Sequence, residues 1–120
     1  MKKILIILTL CVLCGCSVSG FKSVDTKRFE SVISGRGVQL VDVRTAEEYA
    51  EGHIVGAINI DVQSSDFAEK IMVLDKSRQV AVYCRSGRRS KIAAEQLAAA
   101  GYKVIDLDGG IQSWTGVIEQ

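Results

Sequence analysis

Proline is absent from all 120 residues, histidine and tryptophan occur once each, and neither sign of charge is in clear excess. Without proline there is no proline-rich spacer, and with no repeat or low-complexity tract either, the chain offers no second domain boundary; its length suits one domain. Fifteen basic against fourteen acidic side chains give a formal net charge of +1. No bulk field therefore draws the molecule to nucleic acid, and any affinity for anions must be local. No cluster of metal-ligating side chains stands out, so neither metal nor cofactor is expected. A long hydrophobic run is missing too: Ile4 to Leu13 is ten residues, half of the roughly 20 that a membrane-spanning helix needs.

That run follows Met1-Lys2-Lys3 and precedes Leu13-Cys14-Gly15-Cys16, the order of a basic start, an apolar core and a small-residue cleavage site found in export signals. Leu13-Cys14-Gly15-Cys16 resembles a bacterial lipobox. The resemblance implies a signal peptide over residues 1–15 that is removed, a lipidated N-terminal Cys16, and a tether over 16–20 that reaches at most about 14 Å. A plain secretory signal cleaved nearby is the alternative. Under the lipobox reading the protein is exported and anchored to the periplasmic face of a bacterial membrane. Ser17, standing where an aspartate often retains lipoproteins inside, favours the outer membrane of a cell that has two. Loss of Lys2 and Lys3 leaves 13 basic against 14 acidic side chains, a net charge of −1. Cys11 and Cys14 depart with the signal, Cys16 carries lipid, and Cys84 has no disulfide partner. A lone thiol in an exported protein is a candidate reactive site.

Residues 21–120 carry alternating strand and helix signals. Asp25 caps a helix with Phe29, Val32 and Ile33 at helical spacing, stopped by Gly35 and Gly37. Val38 to Val43 reads as a strand, Thr45-Ala46-Glu47-Glu48 as the capping box of a short helix ending near Gly52, and Ile58 to Val62 as another strand. Phe67, Ile71 and Leu74 share one face of a helix over 67–74. Gln79 to Tyr83 is apolar at nearly every position, as a central parallel strand covered on both faces requires. Ser90 to Ala100 is an alanine-rich helix ended by Gly101, Lys103 to Leu107 is a last strand, and Asp108-Gly109-Gly110 turns into a short helix bearing Trp114. The alternation predicts an α/β domain with a mainly parallel central sheet flanked by helices, a class in which ligands bind at the carboxyl ends of strands.

Cys84 occupies such an end, followed by Arg85, Ser86, Gly87, Arg88, Arg89 and Ser90. A glycine-containing loop entering a helix N-terminus presents N–H groups and the positive end of the helix dipole to an anion. In that setting, beside arginine, a thiol pKa falls from about 8.5 to roughly 3.5–7.5. The alternative is a small buried hydrophobe among solvated arginines, which would not require the glycine, the turn and three guanidinium groups together.

Cys84-Arg85-Ser86-Gly87-Arg88-Arg89-Ser90 resembles the active-site loop of rhodanese domains, sulfurtransferases that carry sulfur as a cysteine persulfide. Leu40 to Ile60 and Leu107-Asp108-Gly109-Gly110-Ile111 with Trp114 resemble their other two signatures, so the likeness spans nearly the whole chain after the tether. Val55 stands where these domains usually have proline. Related phosphatases place an arginine one residue further along the loop, where this chain has Ser90; the shorter loop fits a persulfide better than a phosphate.

The resemblance implies Cys84 as the nucleophile, Arg85 to Ser90 as the substrate-binding loop, a small anionic donor such as thiosulfate, and cyanide or a thiol as acceptor. A monomer is expected. The same loop would serve a persulfide carrier without turnover, or a redox-sensing or binding module at the membrane. Among residues that tempt a catalytic label, His53 reads as structural, Asp42 and Arg44 as a pair fixing the turn after their strand, Trp114 as core, and Glu47, Glu48 and Glu51 as a solvated acidic face.

Overall fold

A computed structural model describes residues 20–120; the expected signal peptide, the expected lipidation at Cys16 and the expected tether before Gly20 fall on residues outside the described ones. The elements run β1 (Phe21–Val24), α1 (Thr26–Ile33), β2 (Gln39–Asp42), α2 (Ala46–Glu51), β3 (His53–Ile54), β4 (Ile58–Asn59), α3 (Phe67–Lys70), β5 (Val80–Tyr83), α4 (Arg88–Ala99), β6 (Val104–Leu107) and β7 (Ile118–Glu119). Five strands form one parallel sheet in the order β1-β6-β5-β2-β4, and β3 pairs with β7 antiparallel in a separate two-stranded sheet.

Helices cover both faces, which is why β5 has no polar side. Val80, Val82 and Cys84 belong to a core shared with Phe67 of α3 and Ala93, Ala94 and Leu97 of α4. Ala81 and Tyr83 point the other way, into a core with Phe29 of α1, Ile54, Ala57, Ile105 and Leu107. Period-two side-chain alternation thus sends successive β5 residues into two different apolar layers. The register sets Val82 beside Asp106 on β6 and Tyr83 beside Asp42 on β2, so the end of β5 lies between two buried carboxylates.

Several expectations need correction. Of the strand expected over 58–62 only Ile58–Asn59 is regular strand, although the Ile60 and Val62 N–H groups still donate to the Asp42 and Val43 carbonyls at 3.0 and 3.1 Å, and the helix expected over 67–74 changes at Lys70 into a 3-10 turn over Ile71–Val73. The last major helix begins at Arg88 instead of Ser90. β1, β3 and β7 were not anticipated. Trp114 follows the 3-10 turn Ile111–Ser113 and meets Phe29 edge-on at 6.3 Å, which is the core role expected of it. Among the described residues no helix is long and apolar enough to cross a membrane.

Candidate active site

The β5 strand delivers Cys84 to the carboxyl edge of the sheet, and α4 begins four residues later. Gly87 makes so short a return possible: it is the N-cap of α4 with φ +102, a left-handed conformation that a side chain resists. A Cβ there would also stand 3.0 Å from the backbone nitrogen of Gly109. As N-cap, Gly87 brings no side-chain acceptor to the first turn of α4, so the amides of that turn keep their capacity for an anion.

The Cys84 side chain is nearly closed off from solvent, at 1% exposure. Its Sγ accepts the Gly87 N–H at 3.1 Å and lies 3.5 Å from Ser90 Oγ, to which the thiol donates. The closing turn secures the loop from outside. Ile111 N–H donates to the Cys84 carbonyl at 2.9 Å and Gln112 N–H to the Arg85 carbonyl at 3.1 Å. Two carbonyls of the loop are thereby tied to the closing turn.

The three loop arginines have different fates. Arg85 and Arg88 are exposed, and neither makes an ion pair among the described residues. Arg89 turns to α2 and donates to both carboxylate oxygens of Glu48, at 2.8 and 3.0 Å. Glu48 is therefore not part of a solvated acidic face, as its sequence neighbours suggested. It closes the capping box with Thr45 and anchors the loop. The Arg89 hydrogen bonds pull the Glu48 pKa down to about 2, against desolvation. Glu47 and Glu51 are exposed, as expected.

Behind the loop lies a polar cluster that the sequence reading missed. Asp106, on β6, accepts hydrogen bonds from Ser90, Ser23 and Lys91. Lys91 Nζ also reaches Asp108 at 3.1 Å and the Gly87 carbonyl at 3.2 Å. Burial works against the Lys91 ammonium, but Asp108 and Asp106 outweigh it and raise the pKa. The signal available in the sequence was an aspartate inside an otherwise apolar strand, since such a carboxylate needs a partner.

His53 lies outside this constellation. Its ring stacks on Tyr49 at 3.7 Å, Nδ1 contacts the Tyr49 carbonyl at 2.9 Å, and Nε2 is 3.4 Å from Glu119. Asp42 and Arg44 form a buried pair in which Arg44 also donates to the Gly52 carbonyl at 2.7 Å, fixing the turn after β2 as expected. No group of metal-ligating side chains occurs among the described residues.

The family model for the rhodanese-like domain matches residues 25–116. The chain belongs to the rhodanese family. Among its relatives, the thiosulfate sulfurtransferase GlpE of Shewanella oneidensis is 33% identical over 98 residues, 81% of this chain and 95% of that protein. The thiosulfate sulfurtransferase PspE of Escherichia coli is 39% identical over 72 residues, 60% of this chain and 69% of its own. A crystal structure of a rhodanese-related protein from Thermoplasma volcanium superposes with a TM-score of 0.69 at 34% identity, covering 78% of this chain and 89% of that one. The parallel sheet and its flanking helices are thus the rhodanese fold, and the domain is one of a family of sulfurtransferases.

Proposed function

We propose that this rhodanese domain transfers sulfane sulfur through a persulfide on Cys84. The observation that carries the proposal is the Gly87 N–H directed at Sγ from 3.1 Å, at the mouth of a loop that continues into a helix N-terminus. In the first half-reaction the Cys84 thiolate attacks the outer sulfur of an anionic donor such as thiosulfate. A Cys84–sulfur bond forms, the sulfur–sulfur bond of the donor breaks, and its electron pair leaves with sulfite. In the second, cyanide or a thiolate attacks the outer sulfur of the persulfide and Cys84 leaves as thiolate, so both steps place negative charge where the loop amides are. Arg85 and Arg88 are the guanidinium groups open to the donor; Arg89 serves by holding the loop to α2.

Two half-reactions on one sulfur predict ping-pong kinetics. Steady-state assays with thiosulfate and cyanide are expected to give parallel double-reciprocal lines, and the mass of the loaded protein to increase by one sulfur atom on Cys84. Cys84→Ala is expected to abolish both. Intersecting lines, or turnover in Cys84→Ala, would count against the scheme.

For the N-terminal segment we propose export and lipid attachment at Cys16, supported by Lys2 and Lys3 before an apolar core of signal-peptide length and by Leu13-Cys14-Gly15-Cys16. Several acyl chains anchor stably where one does so marginally. Cys16→Ser is expected to release the protein from membranes while leaving Cys84 chemistry intact; retention of an acyl label by that variant would refute the assignment.

A further inference from the structure

Both groups that touch the Cys84 sulfur lead back to one carboxylate. Asp106 is fully buried, accepts the Ser90 hydroxyl on Oδ1, and on Oδ2 accepts Ser23 Oγ from β1 and Lys91 Nζ at 3.2 Å. Lys91 Nζ also holds the Gly87 carbonyl at 3.2 Å, and Gly87 is the residue whose N–H is directed at Sγ. A serine hydroxyl has a single proton. Here that proton goes to Asp106, so Ser90, itself fully buried, meets the sulfur with lone pairs only. It can accept an S–H and has nothing to donate to a thiolate.

We infer that Asp106 is a positioning residue for the sulfur chemistry: it commits Ser90 to the thiol form of Cys84 and leaves the Gly87 N–H to meet the thiolate. The inference rests on Cys84 being the reactive sulfur, and goes beyond that reading by placing control of its reactivity on β6, outside the loop.

The polarity of the cluster gives the test a sign. In Asp106→Asn the Oδ2 position still faces the Lys91 ammonium, which has no lone pair to offer, so the amide oxygen settles there and the NH₂ group turns to Ser90. An N–H donated to Ser90 Oγ frees the hydroxyl proton to swing to Sγ, and an acceptor becomes a donor. Alkylation of Cys84 by iodoacetamide in the full chain at neutral pH is then expected to be about tenfold faster, the size of one hydrogen bond to a charged group. The gain is expected to disappear when Ser90→Ala is added. Ser90→Ala alone is expected to label no more slowly than wild type, because the resting Ser90 donates nothing to the sulfur.

Unchanged or slower labelling in Asp106→Asn overturns the inference. So does a gain that survives in full in the double variant, which would mark a loosened loop or a bare charge effect, and so does slower labelling of Ser90→Ala than of wild type. Should circular dichroism show Asp106→Asn unfolded, the direction of the Ser90→Ala effect decides. The readout needs no sulfur donor, so failure of thiosulfate to load Cys84 and failure of this inference are separate results.

Discussion

A single missing Cβ governs how closely the closing turn approaches the reactive loop. Gly110 has φ +64, and a methyl group there would meet the Arg85 carbonyl oxygen and carbon and come within 2.7 Å of the Cys84 carbonyl. All three are backbone atoms, which cannot swing aside as a side-chain tip can. Gly110→Ala is therefore expected to destabilise the fold by about 2 kcal/mol or more, measured as a lowered urea midpoint, and to slow sulfur loading because Ile111 and Gln112 lose their grip on the loop. At this scale the sequence was legible where chemistry is contiguous. Cys84, Gly87 and the arginines stand together in one stretch, so their joint meaning could be read directly. Asp106 and Lys91 were not legible as site residues, because the contact between Ser90 and Asp106 spans 16 positions and exists only once β5, α4 and β6 are packed. Glu48 was misread for the same reason, its partner Arg89 being 41 positions away.

That long-range pair joins the start of α2 to the start of α4, and it has a pH signature. The Glu48 pKa is lowered in the folded protein from 4.5 to about 2, chiefly by the Arg89 hydrogen bonds. A depressed carboxylate stabilises the fold above its unfolded pKa, and the contribution fades as pH falls through the folded one. Glu48→Gln is expected to cost about 1–2 kcal/mol at neutral pH after allowance for screening at this half-buried site. In urea titrations, the gap between wild type and variant should be constant above pH ~5, shrink between roughly 4.5 and 2, and close below that window. A gap independent of pH would show that the carboxylate charge is not what holds the loop. The elements best read from sequence were those with strong local signals: apolar β5, the capping box before α2, and alanine-rich α4 with Gly101 at φ +104 after it. β1 went unread because only Phe21 and Val24, at its two ends, face inward; β3 and β7 pair over two residues each, too few to show a period. The spacing of Phe67, Ile71 and Leu74 suits a helix that tightens into a 3-10 turn as well as one that does not.

At the scale of the whole molecule, the five-stranded sheet is entirely parallel, and its order places the first strand beside the last strand of that sheet, with Phe21 opposite Val104 and Val24 opposite Leu107. Ser23 and Asp106, hydrogen-bonded across this seam, are 83 positions apart. A chain ending at Gly101 lacks β6, which deprives β1 and β5 of a shared neighbour and exposes the apolar faces of both layers. It is expected to show no cooperative unfolding transition by circular dichroism, whereas the full chain melts as one unit. The same seam sets a clock for synthesis. Because Ser23 is made 83 positions before Asp106, β1 finds its sheet partner only once β6 has been made, and pairings this distant close slowly. The reactive sulfur therefore acquires its full setting late, only after β6 has brought Asp106 to Ser90.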